Sequence, residues 1–167
     1  PESSLAMMTC SENPGALDGI RILDLTTEMG QYAGKLLADL GADVIKVEPP
    51  GGDAARGVGP FAGDHVSRET SLGWWYFNAN KRSVTCNLDE HDGRWLFGKL
   101  VAGADCLLES FDDDYLEERD FGYEALREIT PTLVYAAVNG FGHLGPDADK
   151  GMVDGAGMAR GGLIEMT

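Results

Sequence analysis

Five short runs rich in apolar and branched residues recur along this 167-residue chain, most of them followed by a segment with helical spacing. No other feature restricts the fold as much. The runs Arg21–Leu25, Val44–Val47, Ser83–Leu88, Cys106–Leu108 and Leu133–Val138 read as strands. Helices are predicted over Tyr32–Leu40, with Leu36, Leu37 and Leu40 at core spacing and Gly41 as the stop. A second helix is predicted over Asp89–Ala102, with Trp95, Leu96, Leu100 and Val101 turned inward, and an acidic helical stretch from Asp114 to Ile129. Strands that alternate with helices join by right-handed crossovers, so the expected fold is α/β: a Rossmann-like open parallel sheet with flanking helices. Continuous apolar strands fit a sheet covered on both faces. Residues 1–18 lack apolar periodicity and read as a flexible leader to a domain over 19–167. Residues 51–73 read as a loop of the length usually reserved for lids or binding segments.

The charge balance narrows the partners. With 28 acidic and 13 basic residues the net charge is −15, which argues against nucleic acid or an anionic membrane. Any anionic ligand then needs a local basic patch. Cys10, Cys86 and Cys106 are odd in number and lack paired spacing, as in a chain from a reducing compartment without a disulfide framework. Together with His65, His91 and His143 they show no metal-ligand spacing, so no metal is expected. No apolar run is long enough to span a bilayer and no signal pattern opens the chain; a cytoplasmic location is expected. Pro1 and the glycine-rich apolar end at Thr167 read as the limits of a fragment.

Ligands of open α/β sheets sit outside the carboxyl ends of the strands, so the residues after each strand are the first to inspect. Thr26–Tyr32 lacks Gly-x-Gly-x-x-Gly, which weakens a dinucleotide reading. Glu48–Asp53, with Arg56 nearby, has glycines like a phosphate cradle but no Gly-Lys-Ser/Thr, so a P-loop is excluded and a plain surface loop stands beside the binding reading. In so acidic a chain, adjacent Lys81 and Arg82 suit phosphates through charge-assisted bonds; a solvated pair is the alternative. Trp74 and Trp75 suit stacking on a base, or core filling. Glu109–Phe111 and Asn139–Gly142 follow the last two strands. Beyond them, Asp154 opens a small-residue, helix-like segment inside Asp149–Leu163. An electropositive helix start among glycines suits a carboxylate nucleophile, although an Asp in that setting is ordinarily an N-cap.

Taken in order, these segments resemble the class III coenzyme A transferases, the formyl-CoA and carnitine CoA-transferase family. The resemblance is carried by Gly19–Leu25, Leu36–Asp53, Asn80–Val84, Phe121–Leu126, Pro131–Tyr135 and Gly140–Gly142, and covers about residues 18–167. It extends over the N-terminal part of a longer family subunit. It implies a CoA transferase acting between an acyl-CoA donor and a carboxylic acid acceptor, with the CoA thioester as substrate and no separate cofactor. Asp154 falls at the family's catalytic aspartate and would attack the thioester to form an aspartyl mixed anhydride. Asn139, Gly140 and Phe141 would lie beside the reacting thioester, their backbone N–H groups facing the oxyanion. Lys46, Asn80, Lys81, Arg82, Ser110 and Phe111 are the positions implied for CoA. The resemblance further implies an interlocked homodimer for the full-length protein and an isolated 167-residue chain without activity.

Departures from the family pattern bear on specificity. Glu28 stands where some members carry Gln, so a like charge near Asp154 would raise its pKa. Gln31 replaces a proline, Ser110 stands where Asn is common, and Gly155 and Gly157 loosen the helix start. Two other readings remain: an acyl-CoA racemase of the same superfamily, and a non-catalytic CoA-binding or assembly module. Racemases of this group carry His immediately before the aspartate to move the α-proton. Val153 holds that position here and has no proton to exchange.

Overall fold

A computed structural model describes residues 15–111, 114–142 and 154–162. The strands are β1 (Arg21–Leu25), β2 (Asp43–Glu48), β3 (Arg82–Thr85), β4 (Cys106–Glu109) and β5 (Val134–Ala137). The helices are α1 (Gln31–Asp39), α2 (Leu72–Phe77), α3 (His91–Val101), α4 (Tyr123–Ile129) and α5 (Asp154–Arg160). The strands form one sheet in the order β3-β2-β1-β4-β5, and every pairing is parallel. The α/β fold with an open parallel sheet is therefore as expected. The strand order reverses between β1 and β4, which places the switch-point crevice at their carboxyl ends.

Side chains alternate across a strand, and the two faces are built differently. Leu23, Leu25, Ile45, Val47 and Leu107 point to one face, where they join Phe97 and Val101 of α3 and Leu126 of α4 in the main core. Phe97 is fully buried and meets the Phe121 ring edge-on at 4.7 Å. The opposite face, under α1, is apolar at Ile22 and Val44 toward the amino ends of β1 and β2 and at Leu108 on β4, and these pack with Ala38 and Ala42. One pleat further along, the same face carries Asp24 and Lys46, which lie side by side in register.

That change in chemistry explains where the sequence expectation for α1 fails. Leu36 and Leu40 are exposed and Leu37 is half-buried, whereas Gln31, Gly34 and Ala38 face the sheet. The helix approaches charged groups closely, and small residues permit that approach where leucines would not. In α3 the expected inward Trp95 is 63% exposed, and Phe97 takes its place beside Val101 at the i, i+4 spacing.

Two segments are more structured than expected. The long loop carries short 3₁₀ turns at Ala54–Gly57 and Ala62–Asp64 and ends in α2, where the Ser71 hydroxyl accepts the Trp74 N–H at 3.2 Å as an N-cap. The acidic stretch splits into a 3₁₀ turn at Glu117–Arg119 and α4, because Asp120 adopts φ 65° and ends the first piece. Among the described residues no helix is long and apolar enough to cross a membrane.

Phe97 is the most informative packing probe, since it is fully buried where α3 meets the α4 side of the core. Phe97→Ala is expected to lower unfolding free energy by about 3–5 kcal/mol, read from urea denaturation. A loss below about 1 kcal/mol would mean that the site collapses around the smaller side chain.

Candidate active site at the carboxyl ends of the strands

The charged row beneath α1 is a closed ionic cluster. Lys81 Nζ lies 2.7 Å from Asp24 Oδ2 and donates to the Gln31 carbonyl at 2.8 Å and to Asn78 Oδ1 at 3.0 Å. Lys46 Nζ donates to the Thr26 carbonyl and lies 3.1 Å from Asp53 Oδ2 and 3.8 Å from Asp24 Oδ1. Asp24 also accepts the Thr26 N–H at 2.9 Å and the Thr26 hydroxyl at 2.6 Å. Burial pushes the Lys81 ammonium below its ordinary pKa, against the pull of Asp24. Two buried lysines thus balance two buried aspartates. Buried charge persists only with such pairing.

A second pair adjoins it. Arg56 holds Glu48 through two bonds, Nε to Oε2 at 2.6 Å and Nη2 to Oε1 at 2.9 Å, and its guanidinium lies 4.2 Å from the Trp74 ring centre. Ser83 and the Asp53 N–H complete the shell around Glu48. Burial alone would raise this carboxyl, but those donors outweigh it and leave the pKa at about 2. The Gln31 side chain joins the two regions, its amide 3.4 Å from both Asp53 and Asn78.

Above the cluster lies the β1/β4 crevice. The Ser110 hydroxyl accepts the Thr27 N–H at 2.7 Å and sits 3.0 Å from the Thr27 hydroxyl, so it ties together the loops that follow the two strands. Glu109 is buried; it accepts the Phe111 N–H at 2.6 Å and the Tyr135 hydroxyl at 3.0 Å. Burial, reinforced by Glu109, pushes the Tyr135 phenol well above its usual range. The next loop is closed by the Gly142 N–H on Asn139 Oδ1 at 2.6 Å, and Gly142 takes φ 78°, a left-handed conformation that favours glycine. The Phe141 ring lies 5.1 Å from the Arg160 guanidinium of α5, which brings that helix to the loop after β5.

The residues singled out in the sequence divide into three groups. Ser110, Phe111, Asn139, Gly140 and Phe141 follow the neighbouring strands β4 and β5 at the carboxyl edge, and exposed Glu28 lies on the loop that Ser110 ties down. Lys46 and Lys81 come together, but their ammonium groups are buried and bonded to protein carboxylates. Asn80 and Arg82 face the amino-terminal side, with Asn80 on Asp39 at the end of α1 and Arg82 on Asp43 at the start of β2. Adjacent Lys81 and Arg82 are thus sent to different surroundings. Asp154 is the first residue of α5; its side chain, with Val153 and His143, lies outside the described residues. Asp24, Asp53, Gln31 and Asn78 were not singled out as site residues. For Asp24 the available signal was a charge inside an apolar strand, Ile22-Leu-Asp-Leu25; Gln31, Asp53 and Asn78 lie at helix or turn ends and carry no such signal.

An open parallel sheet whose strand order reverses between β1 and β4 places this chain among the doubly wound α/β proteins. Sequence comparison makes the assignment specific: the chain belongs to CoA-transferase family III, which it matches over residues 17–167. It is 42% identical over 160 residues to the succinyl-CoA:mesaconate CoA-transferase of Haloarcula marismortui, covering 92% of this chain and 40% of that protein. It is 40% identical over 162 residues to the succinyl-CoA–D-citramalate CoA-transferase of Chloroflexus aurantiacus, covering 96% of this chain and 39% of that protein. The crystal structure of a CAIB/BAIF family protein from Brucella suis superposes with a TM-score of 0.85 at 36% identity, over 93% of this chain and 41% of that one. The chain therefore spans about two fifths of the length of these relatives.

Glu48 supplies a pH signature. Its folded-state pKa of about 2 lies below the ordinary 4.5, so its contribution to stability is complete above about 4.5 and is lost as pH falls toward 2. Glu48→Gln is expected to lower stability at pH 7 and to flatten the stability curve within that acid window. Urea midpoints measured from pH 7 to pH 2 test this; parallel curves for the two proteins would contradict it.

Proposed function

We propose that the full-length protein transfers CoA from an acyl-CoA donor to a carboxylic acid acceptor through an aspartyl anhydride on Asp154. The observation that carries the proposal is family membership over residues 17–167; Asp154, the first residue of α5, is assigned as the nucleophile from the sequence resemblance alone. The Asp154 carboxylate attacks the thioester carbonyl, a C–O bond forms, the C–S bond breaks, and the electron pair leaves with the CoA thiolate. The thiolate then attacks the aspartyl carbonyl, giving an aspartyl-CoA thioester and freeing the donor acid. The acceptor carboxylate repeats the exchange in reverse and leaves with CoA. One thioester replaces another, so no external energy source or separate cofactor enters.

In this reading Asn139, Gly140 and Phe141 lie beside the reacting thioester and supply backbone N–H donors to the oxyanion, while Ser110 and Phe111 line the CoA side of the crevice. Arg82 is exposed and paired with Asp43, whereas Lys46 and Lys81 reach a phosphate only by breaking the buried cluster. The two lysines therefore support the site from below. Succinyl-CoA is the first donor to test, because the Haloarcula and Chloroflexus relatives are named for it. The full-length protein is read as an interlocked homodimer. The apolar side chains Tyr32 and Leu36 of α1, Leu40 just after it, and Trp75, Tyr76 and Phe77 of α2 are exposed in the single chain, a surface suited to burial in such an assembly.

In the full-length protein, Asp154→Ala is expected to abolish CoA transfer, and hydroxylamine added during turnover is expected to convert Asp154 to a hydroxamate detectable by mass spectrometry. Deuterium exchange at the α-carbon of a 2-methylacyl-CoA, undiminished by Asp154→Ala, would replace this reading with the racemase one. Thioester binding without turnover would leave a binding module.

A further inference from the structure

The loop between β1 and α1, residues 26–30, crosses the switch-point crevice and carries Thr27, Glu28 and Met29 to the surface. Both of its ends are held by ammonium groups that come from elsewhere in the chain. Lys46, from β2, donates to the Thr26 carbonyl at the start of the loop. Lys81, from the turn before β3, donates at 2.8 Å to the carbonyl of Gln31, the first residue of α1. Asp24 bridges the two lysines, at 2.7 Å from Lys81 and 3.8 Å from Lys46, and also grips the Thr26 N–H and hydroxyl. On the far side of the crevice, Ser110 takes the Thr27 N–H.

The packing leaves little slack. A Cβ on Gly34 would stand 2.4 Å from Asp24 Oδ2 and 3.1 Å from Lys81 Nζ, so α1 lies directly on the ion pair. A Cβ on Gly30 would stand 2.4 Å from the Thr26 side chain. Burying two lysines and two aspartates is costly, and for stability alone apolar side chains of similar volume would serve as well or better. Ammonium groups do something those side chains cannot do: each donates to a loop carbonyl while a fixed carboxylate holds it in place.

We propose that Lys46 and Lys81 are positioning residues that fix the residue 26–31 segment at the lip of the active site. This rests on the CoA-transfer reading of the crevice and adds to it the part played by the buried cluster. The lysines touch neither CoA nor the acyl group. They set the height and orientation of the loop against which the reacting thioester is held, where a displacement of about 1 Å is worth about a hundredfold in rate.

The test uses the full-length protein with Lys81→Met and with the double change Asp24→Asn/Lys81→Met. The single variant leaves Asp24 buried with Lys46 at 3.8 Å as its remaining cation, so a lower thermal midpoint is expected. In the double variant the buried pair is neutral, the Asn side chain still accepts the Thr26 N–H, and the midpoint is expected to recover most of the loss. The loop is not expected to recover. Amide hydrogen exchange over residues 26–31 should remain about tenfold or more faster than wild type, with α3 amides unchanged. Turnover should remain down about tenfold or more in kcat, with KM for the thioester within about twofold. Loop exchange at the wild-type rate in the double variant, or kcat restored along with stability, would overturn the proposal. A wild-type protein that transfers no CoA would remove the functional reading, and the exchange rates would still decide whether the lysines hold the loop.

Discussion

The contact between Lys81 and Asp24 is the constraint around which this half of the molecule is arranged. An ammonium and a carboxylate 2.7 Å apart, both almost entirely removed from water, have to be matched by further polar partners. Those partners define the local structure. Lys46 and Asp53 extend the cluster along β2 and into the following loop, Asn78 anchors the turn before β3, and Gln31 places its carbonyl on Lys81. Helix α1 then places Gly34 over the pair, because a Cβ there would stand 2.4 Å from Asp24 Oδ2.

The two faces of the sheet consequently have different tasks. The face under α3 and α4 is a continuous apolar core, with Phe97, Leu107 and Leu126 fully buried, and it supplies hydrophobic stabilisation. The face under α1 is apolar toward the amino ends of β1 and β2 and ionic toward their carboxyl ends, with Leu108 of β4 beside the ionic row. The loops above that ionic half are therefore seated on charged, directional contacts, while apolar packing remains below. Directional contacts fix orientation in a way that apolar contacts do not, which suits a loop bordering a reaction site.

Members of CoA-transferase family III that resemble this chain are more than twice as long, and the chain corresponds to about 40% of them. Within that portion it contains the sheet, the switch-point crevice and the segment that begins at Asp154. The apolar surface left on α1 and α2 is contiguous through the edge-on contact of Tyr32 with Phe77, at 6.2 Å.

By itself the sequence determined the fold class, the strands of the sheet to within a few residues, and the family. Each of these depends on local information: runs of branched apolar residues, turn glycines, and short motifs in fixed order. The place of Ser110 and Phe111 was also legible, because residues just after a strand necessarily arrive at the carboxyl edge. Only the tertiary structure decided where the lysines go. Lys81 and Arg82 look alike as neighbours in sequence, yet one enters a buried cluster and the other pairs with Asp43 at the amino end of β2. Asp24 and Lys81 are 57 residues apart, and no local pattern announces their contact. Whether a charge meets solvent, a phosphate or a buried carboxylate is set by which strands become neighbours. That is a property of long-range pairing, and periodicity along the chain does not encode it.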